Sequence, residues 1–435
     1  MSEFFEIAYA AATNKLCLFT GTGFSKAISR NKTPSWQDLI KPLCDLTSDP
    51  ATLKKVLFPD DGINPLSLEE SAQVISIELQ KVDKSIHEEI ANEIKKLKLA
   101  GDNSVIADFL SKKSFKVITT NYDKLFEELA GESDCHSLTP GFPIPRSQAR
   151  IEVYHIHGST DSPANMVVTS NDYFKFMNTE SYFSKKLSIV LHENTVVILG
   201  YSLGDTNLKA IISDYKEFSK HHVISSNLFF ISNSKVNQHI KDYYSHCYGI
   251  RVIDNIKIHD FFEQLKLEMP KVEKHTTEKF DEGIKKILLE DKKFNKDFVK
   301  LENSFYATVA KIAAMGRSID DPLVVSMLGK LITTKTELTN ESGAWEQYEH
   351  LARWLIHLAS ILELKGTSIE NIYLEAVLRS MKNMKPPYYT GYSWHAYNSW
   401  NSGWSQIIAS NRAIIRKYIK ERTDWSYAVA VVERG

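Results

Sequence analysis

The sequence predicts an α/β fold: a doubly wound parallel sheet with a helical insertion, followed by an all-α C-terminal domain. Three observations predict it. A short apolar run, Leu16 to Phe19, feeds a turn carrying Gly21 and Gly23 and then a segment able to start a helix. Apolar runs of strand length then alternate with helical stretches as far as Ile253, the pattern of a parallel sheet covered on both faces. Beyond Leu267 strand signals give way to helical periodicity. A first strand that turns on glycines gives the sheet a Rossmann-like character.

Residues 3–13 read as a helix leading into the first strand. Pro34-Ser35-Trp36 reads as a helix start, with Ser35 as the cap and Leu39, Ile40 and Leu43 on the apolar face. Val74, Ile75, Leu79, Ile86, Ile90 and Ile94 give residues 67–99 a helical pattern, so about 40–105 is expected to be a helical insertion. A helix near 103–111 precedes the strand 115–120. Further strands are expected at 151–156, 166–169, 195–199, 227–231 and 250–253. Helices are expected between them, near 122–130, 170–192, 205–219 and 235–246. The polar stretch after Leu267 reads as a linker, which divides the chain into 1–268 and 275–435. In the second part Leu323, Val324, Met327, Leu328 and Leu331 form one helical face. Trp345, Tyr348, Leu351, Trp354, Leu355 and Leu358 form another. Pro386-Pro387 breaks the pattern. The aromatic-rich segment 388–404 after it is either a partner surface or part of a core. The stretch 425–432 is a strand or a helix end.

Composition narrows the function classes. With 435 residues, 43% hydrophobic and 25% charged, the chain has material for two cores. A net charge of −1 gives no electrostatic argument for nucleic acid or membrane. No apolar run reaches the length of a membrane span, and the N-terminal residues lack a signal-peptide pattern, so a cytoplasmic location is expected. Cys17, Cys44, Cys135 and Cys247 are far apart without C-x-x-C spacing, which argues against a zinc ribbon or a disulfide scaffold.

Four polar segments end or follow expected strands: Thr20–Ser25, Thr119–Asp123, His155–Ser159 and Leu199–Asp205. In an open α/β sheet the carboxyl ends of the strands line the ligand crevice, so the fold should gather them. The first, Gly21-Thr22-Gly23-Phe24-Ser25, is a phosphate cradle or a plain tight turn. It lacks the third glycine of a dehydrogenase fingerprint, because Lys26 stands there. Asn121 and Asp123 either cap a helix beginning near Tyr122 or meet a ligand. His155 and His157 share a strand face. They are structural, or an acid–base group with a pKa near 6.5, or, less supported, a metal pair. Gly200-Tyr201-Ser202 is a second glycine turn whose serine suits phosphate or ribose. Asp205 is a cap or a ligand contact.

In this order the segments G-T-G-F-S, T-T-N-Y-D, H-I-H-G and G-Y-S resemble the sirtuin-like superfamily over residues 1–265. The resemblance implies that Gly21, Thr22, Gly23, Phe24 and Ser25 hold the pyrophosphate and ribose of NAD+. It places Asn121 and Asp123 at the nicotinamide end, makes His157 the catalytic histidine, and sets Gly200, Ser202 and Asp205 along the far ribose. Thr120 replaces the glutamine of T-Q-N, and the four-cysteine zinc module is missing. With the helical additions, these departures resemble the bacterial anti-phage branch, whose sirtuin-like domains hydrolyse NAD+ to nicotinamide and ADP-ribose. The branch implies NAD+ as substrate, no zinc, a homo-oligomer, and in some systems a HerA-like hexameric ATPase as partner, with 275–435 as the assembly domain. NAD-dependent deacylation and NAD or ADP-ribose sensing without turnover are the alternatives.

Overall fold

The computed structural model describes residues 2–60, 62–146, 148–178, 182–202, 212, 227–290, 292–382, 384–386 and 394–434. Among the described residues seven strands form one sheet: β1 (Leu16–Thr20), β2 (Phe115–Thr119), β3 (Cys135–Leu138), β4 (Ile151–His155), β5 (Thr195–Leu199), β6 (Leu228–Ile231) and β7 (Ile250–Ile253). Their order is β3-β4-β2-β1-β5-β6-β7, with every pairing parallel. β1 lies between β2 and β5, where the order reverses, and a crevice opens at the carboxyl ends of strands at such a point. Register brings those ends level. Thr20 pairs with Thr119 on one side and Leu199 on the other, and Thr119 pairs with His155.

Alternation along the strands builds a core on each face. Leu16 and Leu18 belong to one apolar cluster, Cys17 and Phe19 to the other, and β5 repeats this with Val197 and Leu199 against Val196 and Ile198. The insertion has its own core of Leu39, Ile40, Ile75, Leu79, Ile86 and Ile90, into which Tyr122 and Val168 also pack. Its helices begin where capping chemistry puts them. Ser35 caps Trp36–Ile40 with Asp38 reciprocating, and Ser67 caps Leu68–Gln80 with Glu70 reciprocating.

Helix α1 (Ser2–Ala12) is covered by the C-terminal helices. The Phe5 ring lies 5.7 Å from that of Tyr306, and Glu6 is held by Arg251 from β7, Oε1 accepting at 2.9 Å. The first apolar cluster runs without a break from these residues through Phe305, Trp354, Tyr373 and Trp400. Among the described residues no helix is long and apolar enough to cross a membrane.

Three expectations change, and one open alternative closes. Residues 166–169 are an irregular segment that places the Val167 N–H 2.9 Å from His157 O. The edge strand β3 has no sequence counterpart, because Cys-His-Ser-Leu is half-buried and carries little apolar signal. The stretch after Leu267 is the second half of a helix, Ile258–Glu273, with Pro270 inside it. Its charged outer face masks a buried stripe of Phe261, Phe262, Leu265, Met269 and Val272. The stretch 425–432 is helical, Ser426–Val432. In the aromatic segment, Trp400 and Trp404 are buried, their indole N–H groups donating to Ser380 Oγ and Arg434 O at 2.9 Å each. They serve the core. Residues 388–393 of that segment, and the expected helix near 205–219 apart from residue 212, lie outside the described residues.

Candidate functional site at the carboxyl ends of the central strands

The glycine turn docks on the turn after β5, backbone to backbone. Gly21 N–H donates to Leu199 O and Gly23 N–H to Gly200 O, both at 2.9 Å. A Cβ on Gly23 would stand 2.8 Å from Gly200 Cα, and one on Gly200 would stand 2.1 Å from Phe24 N. Gly200 also sits at φ +74, where a side chain is strained. The glycines are therefore needed for two turns to touch. Phe24 N–H donates to Gly21 O at 2.9 Å. Its ring lies in the core, 5.8 Å from that of Phe126. At this turn Thr22 is the exposed side chain, at the start of α2 (Thr22–Ile28).

Asn121 follows β2 and reaches across to this turn. Its Nδ2 donates to Gly21 O and to Ser25 Oγ, each at 2.9 Å. A carbonyl only accepts, so the first bond fixes which end of the amide is nitrogen. The amide oxygen makes no hydrogen bond among the described residues. Ser25 Oγ donates onward to Asp123 Oδ2 at 2.8 Å, and Asp123 Oδ1 accepts the Leu125 N–H at 3.1 Å. Burial raises the Asp123 pKa, while the Ser25 hydroxyl and the Leu125 N–H oppose that shift. The helix expected at Tyr122 begins at Leu125, so Asp123 organises its start and joins the crevice network together.

The two histidines part company. His155 is fully buried beneath the site, with Nδ1 at 3.0 Å from Asn121 O and Nε2 at 2.8 Å from Glu127 Oε1. Glu127 also faces Lys124 at 3.0 Å, and its pKa falls to about 2: burial raises it, but His155 and Lys124 outweigh that. His155 thus holds the Asn121 backbone in place. His157 lies just past the end of β4, which pairs with β2. Its ring sits edge-on to Tyr173 and Phe176, with centroids at 5.4 and 5.2 Å. Burial lowers its pKa to about 4, so at neutral pH it is an uncharged proton acceptor.

Two cavities flank the glycine turn. The larger, about 790 Å³, is lined by Gly23, Lys26, Gly200, Tyr201 and Ser202, and by Ser232 to Ser234 after β6. The smaller, about 50 Å³, is lined by Thr22, Trp36, Thr120, Asn121, Tyr122 and Asp123. Tyr201 stands between them. Its ring stacks on Phe19 at 5.1 Å, covers Gly21, and its hydroxyl meets Thr120 Oγ1 at 2.5 Å. The structure thus joins Gly21, Ser25, Asn121 and Asp123 through hydrogen bonds. It puts Gly23, Gly200 and Ser202 on the larger cavity, and His157 one strand from Asn121, lining neither cavity. Asp205 lies outside the described residues. Sequence reasoning missed Tyr201 and Glu127. Tyr201 lies within the Leu199–Asp205 segment, where nothing local marks its partner Thr120. Glu127 had a weak signal, a carboxylate one residue after Leu125-Phe126 on a buried face.

Residues 116–253 match the family model of the SIR2-like domain. Over these residues the chain is similar to the SIR2-like domain. It is 30% identical over 99 residues to the NAD(+) hydrolase ThsA of Bacillus cereus (strain MSX-D12), covering 22% of this chain and 21% of that protein. To the NAD(+) hydrolase ThsA of Enterococcus faecium it is 32% identical over 104 residues, 22% of each. To Defense-associated sirtuin 2 of Bacillus subtilis it is 24% identical over 163 residues, 35% of this chain and 16% of that protein. The chain thus aligns with about a fifth of the length of these curated relatives. The matched SIR2-like segment contains Asn121, Asp123, His157, Gly200 and Ser202, while the glycine turn precedes it. Among the described residues no group of three or more His, Cys, Asp or Glu is placed to hold a metal.

Proposed function

We propose that this chain is an NAD+ glycohydrolase, cleaving NAD+ and water to nicotinamide, ADP-ribose and a proton, and that it acts in anti-phage defence by depleting NAD+. The observation that carries the reading is the Asn121 amide. Its nitrogen is fixed by Gly21 O and Ser25, which leaves its oxygen to accept from a water or a ribose hydroxyl in the smaller cavity. In the reaction the C1′–nicotinamide bond breaks, its electron pair neutralises the pyridinium, and water attacks C1′. His157 accepts the proton, directly or through a ribose hydroxyl. The larger cavity takes the adenosine half, so the turns at Gly23 and Gly200 lie between the two halves of the dinucleotide. Placement of this kind is a large share of a catalytic gain. The names of the relatives, two of them NAD(+) hydrolases, support the reading, and the absence of a four-cysteine zinc module from the sequence argues against deacylation.

A non-catalytic NAD or ADP-ribose sensor is favoured by one observation: His157 lines neither cavity. Nicotinamide release by purified protein decides between them. The hydrolase reading expects release from NAD+ that Asn121→Ala and His157→Ala abolish. Full activity in both variants removes the assignment, and tight binding without any product supports the sensor. We further propose residues 275–435 as an assembly surface for a homo-oligomer or a HerA-like ATPase, which native mass measurement tests.

A further inference from the structure

The larger cavity is unbalanced in charge. Lys26, Lys257 and His259 line it, and no Asp or Glu does among the described residues. The carboxylate of Asp254, just past β7, is engaged elsewhere: Oδ1 lies 2.8 Å from Lys241 Nζ, and Oδ2 accepts the Val236 N–H at 2.7 Å. His259 Nε2 is 3.0 Å from Asn103 Oδ1. Among the described residues Lys26 and Lys257 are the lysines that line the cavity.

They stand at different ends of it. Lys26 follows Gly23 by one helical turn on α2, beside the glycine turn. Lys257 follows β7, three strand positions from β1, or about 14 Å at the usual spacing of neighbouring strands. The Ile256 N–H donates to Ser232 O at 3.0 Å, which fastens this segment beside Ser232, Asn233 and Ser234. Lys257 thus belongs to the end far from Asn121. An unmodified adenosine has no negative charge for it to meet. Dinucleotide sites separate NAD+ from NADP+ at the 2′ position: a carboxylate accepts the hydroxyl and repels a phosphate, whereas a cation accepts the phosphate.

We propose that this site accepts the 2′-phosphorylated dinucleotide, NADP+, alongside NAD+, with Lys257 meeting the 2′-phosphate. The proposal rests on the reading of the crevice as a nicotinamide dinucleotide site. The 2′-phosphate takes no part in bond breaking, so the products are nicotinamide, 2′-phospho-ADP-ribose and a proton.

Calorimetry on the full chain with ADP-ribose and with 2′-phospho-ADP-ribose tests this without requiring turnover. The phosphorylated ligand is expected to bind at least as tightly as ADP-ribose. Lys257→Ala should weaken the phosphorylated ligand about tenfold or more, as for a lost charged hydrogen bond, and leave ADP-ribose within about threefold. Lys257→Arg should keep both. Nicotinamide release from NADP+ should follow the same order. Rejection of the phosphorylated ligand alone, or equal loss of both ligands in Lys257→Ala, overturns the proposal and leaves the hydrolase reading standing. Binding of neither ligand overturns both.

Discussion

The amide nitrogen of Asn121 lies 2.9 Å from the hydroxyl of Ser25, although 96 positions separate them in sequence. That contact ties the end of β2 to the turn after β1. It also sets the direction of a short relay, because Ser25 must then give its own proton to Asp123, 2.8 Å away.

Asn121 lines the smaller cavity, and Asn121→Ala removes its amide oxygen, which makes no hydrogen bond among the described residues. Nicotinamide release should fall about a hundredfold or more, as expected for a group acting on the transition state. NAD+ affinity should change far less. Chromatographic assay of nicotinamide, paired with calorimetry, separates the two effects.

Ser25→Ala takes a donor from a buried carboxylate. Asp123 then keeps only the Leu125 N–H, and its pKa should rise further. A stability loss of about 1–3 kcal/mol follows from leaving a buried polar group partly unsatisfied. Denaturant titration measures it. Ser25→Thr, which keeps the hydroxyl, should recover part of the loss.

Gly200→Ala meets both a strained φ and a backbone nitrogen 2.1 Å from the added Cβ. The turns at Gly23 and Gly200 would have to separate. A stability loss above about 3 kcal/mol, in the range of strained backbone combined with overpacking, is expected by thermal melting. Any soluble protein should lose dinucleotide binding.

His157 carries a pKa lowered by burial to about 4, against about 6.5 in an unfolded chain. Between those values the unfolded state binds more protons, so stability rises with pH. The contribution is fully present above pH 6.5 and is lost as pH falls through 4. For turnover the same shift means that His157 remains able to accept a proton at pH 5. The acid limb of kcat/KM set by this residue should lie near 4, and a limb at 6.5 would show that another group sets it.

The central strands were legible because their signal is local. Leu16–Phe19 and Thr195–Leu199 are apolar runs of the right length, bounded by glycine. Ser35 announced its helix through capping chemistry that spans four residues. β3 was not legible, since a half-buried edge strand needs no apolar alternation. Helix Ile258–Glu273 was hidden by its charged outer face and by Pro270, although the stripe from Phe261 to Val272 was present in the sequence. At the site, the convergence of Gly21, Asn121 and Asp123 followed from strand-end logic. The Tyr201–Thr120 contact did not, because nothing local couples two hydroxyls 81 positions apart. The ring packing that encloses His157 is equally non-local, set by two aromatic residues of a later helix.

Helix α1 has a consequence for how the protein is made. Phe5 rests on Tyr306, about 300 positions later, and Glu6 waits for Arg251. Until those residues emerge from the ribosome, this helix has an apolar face without its final cover. Such long-range closure slows folding and lengthens exposure to aggregation. A fragment ending before the C-terminal helices should therefore be harder to obtain in soluble form than the whole chain, even with every residue of the crevice present.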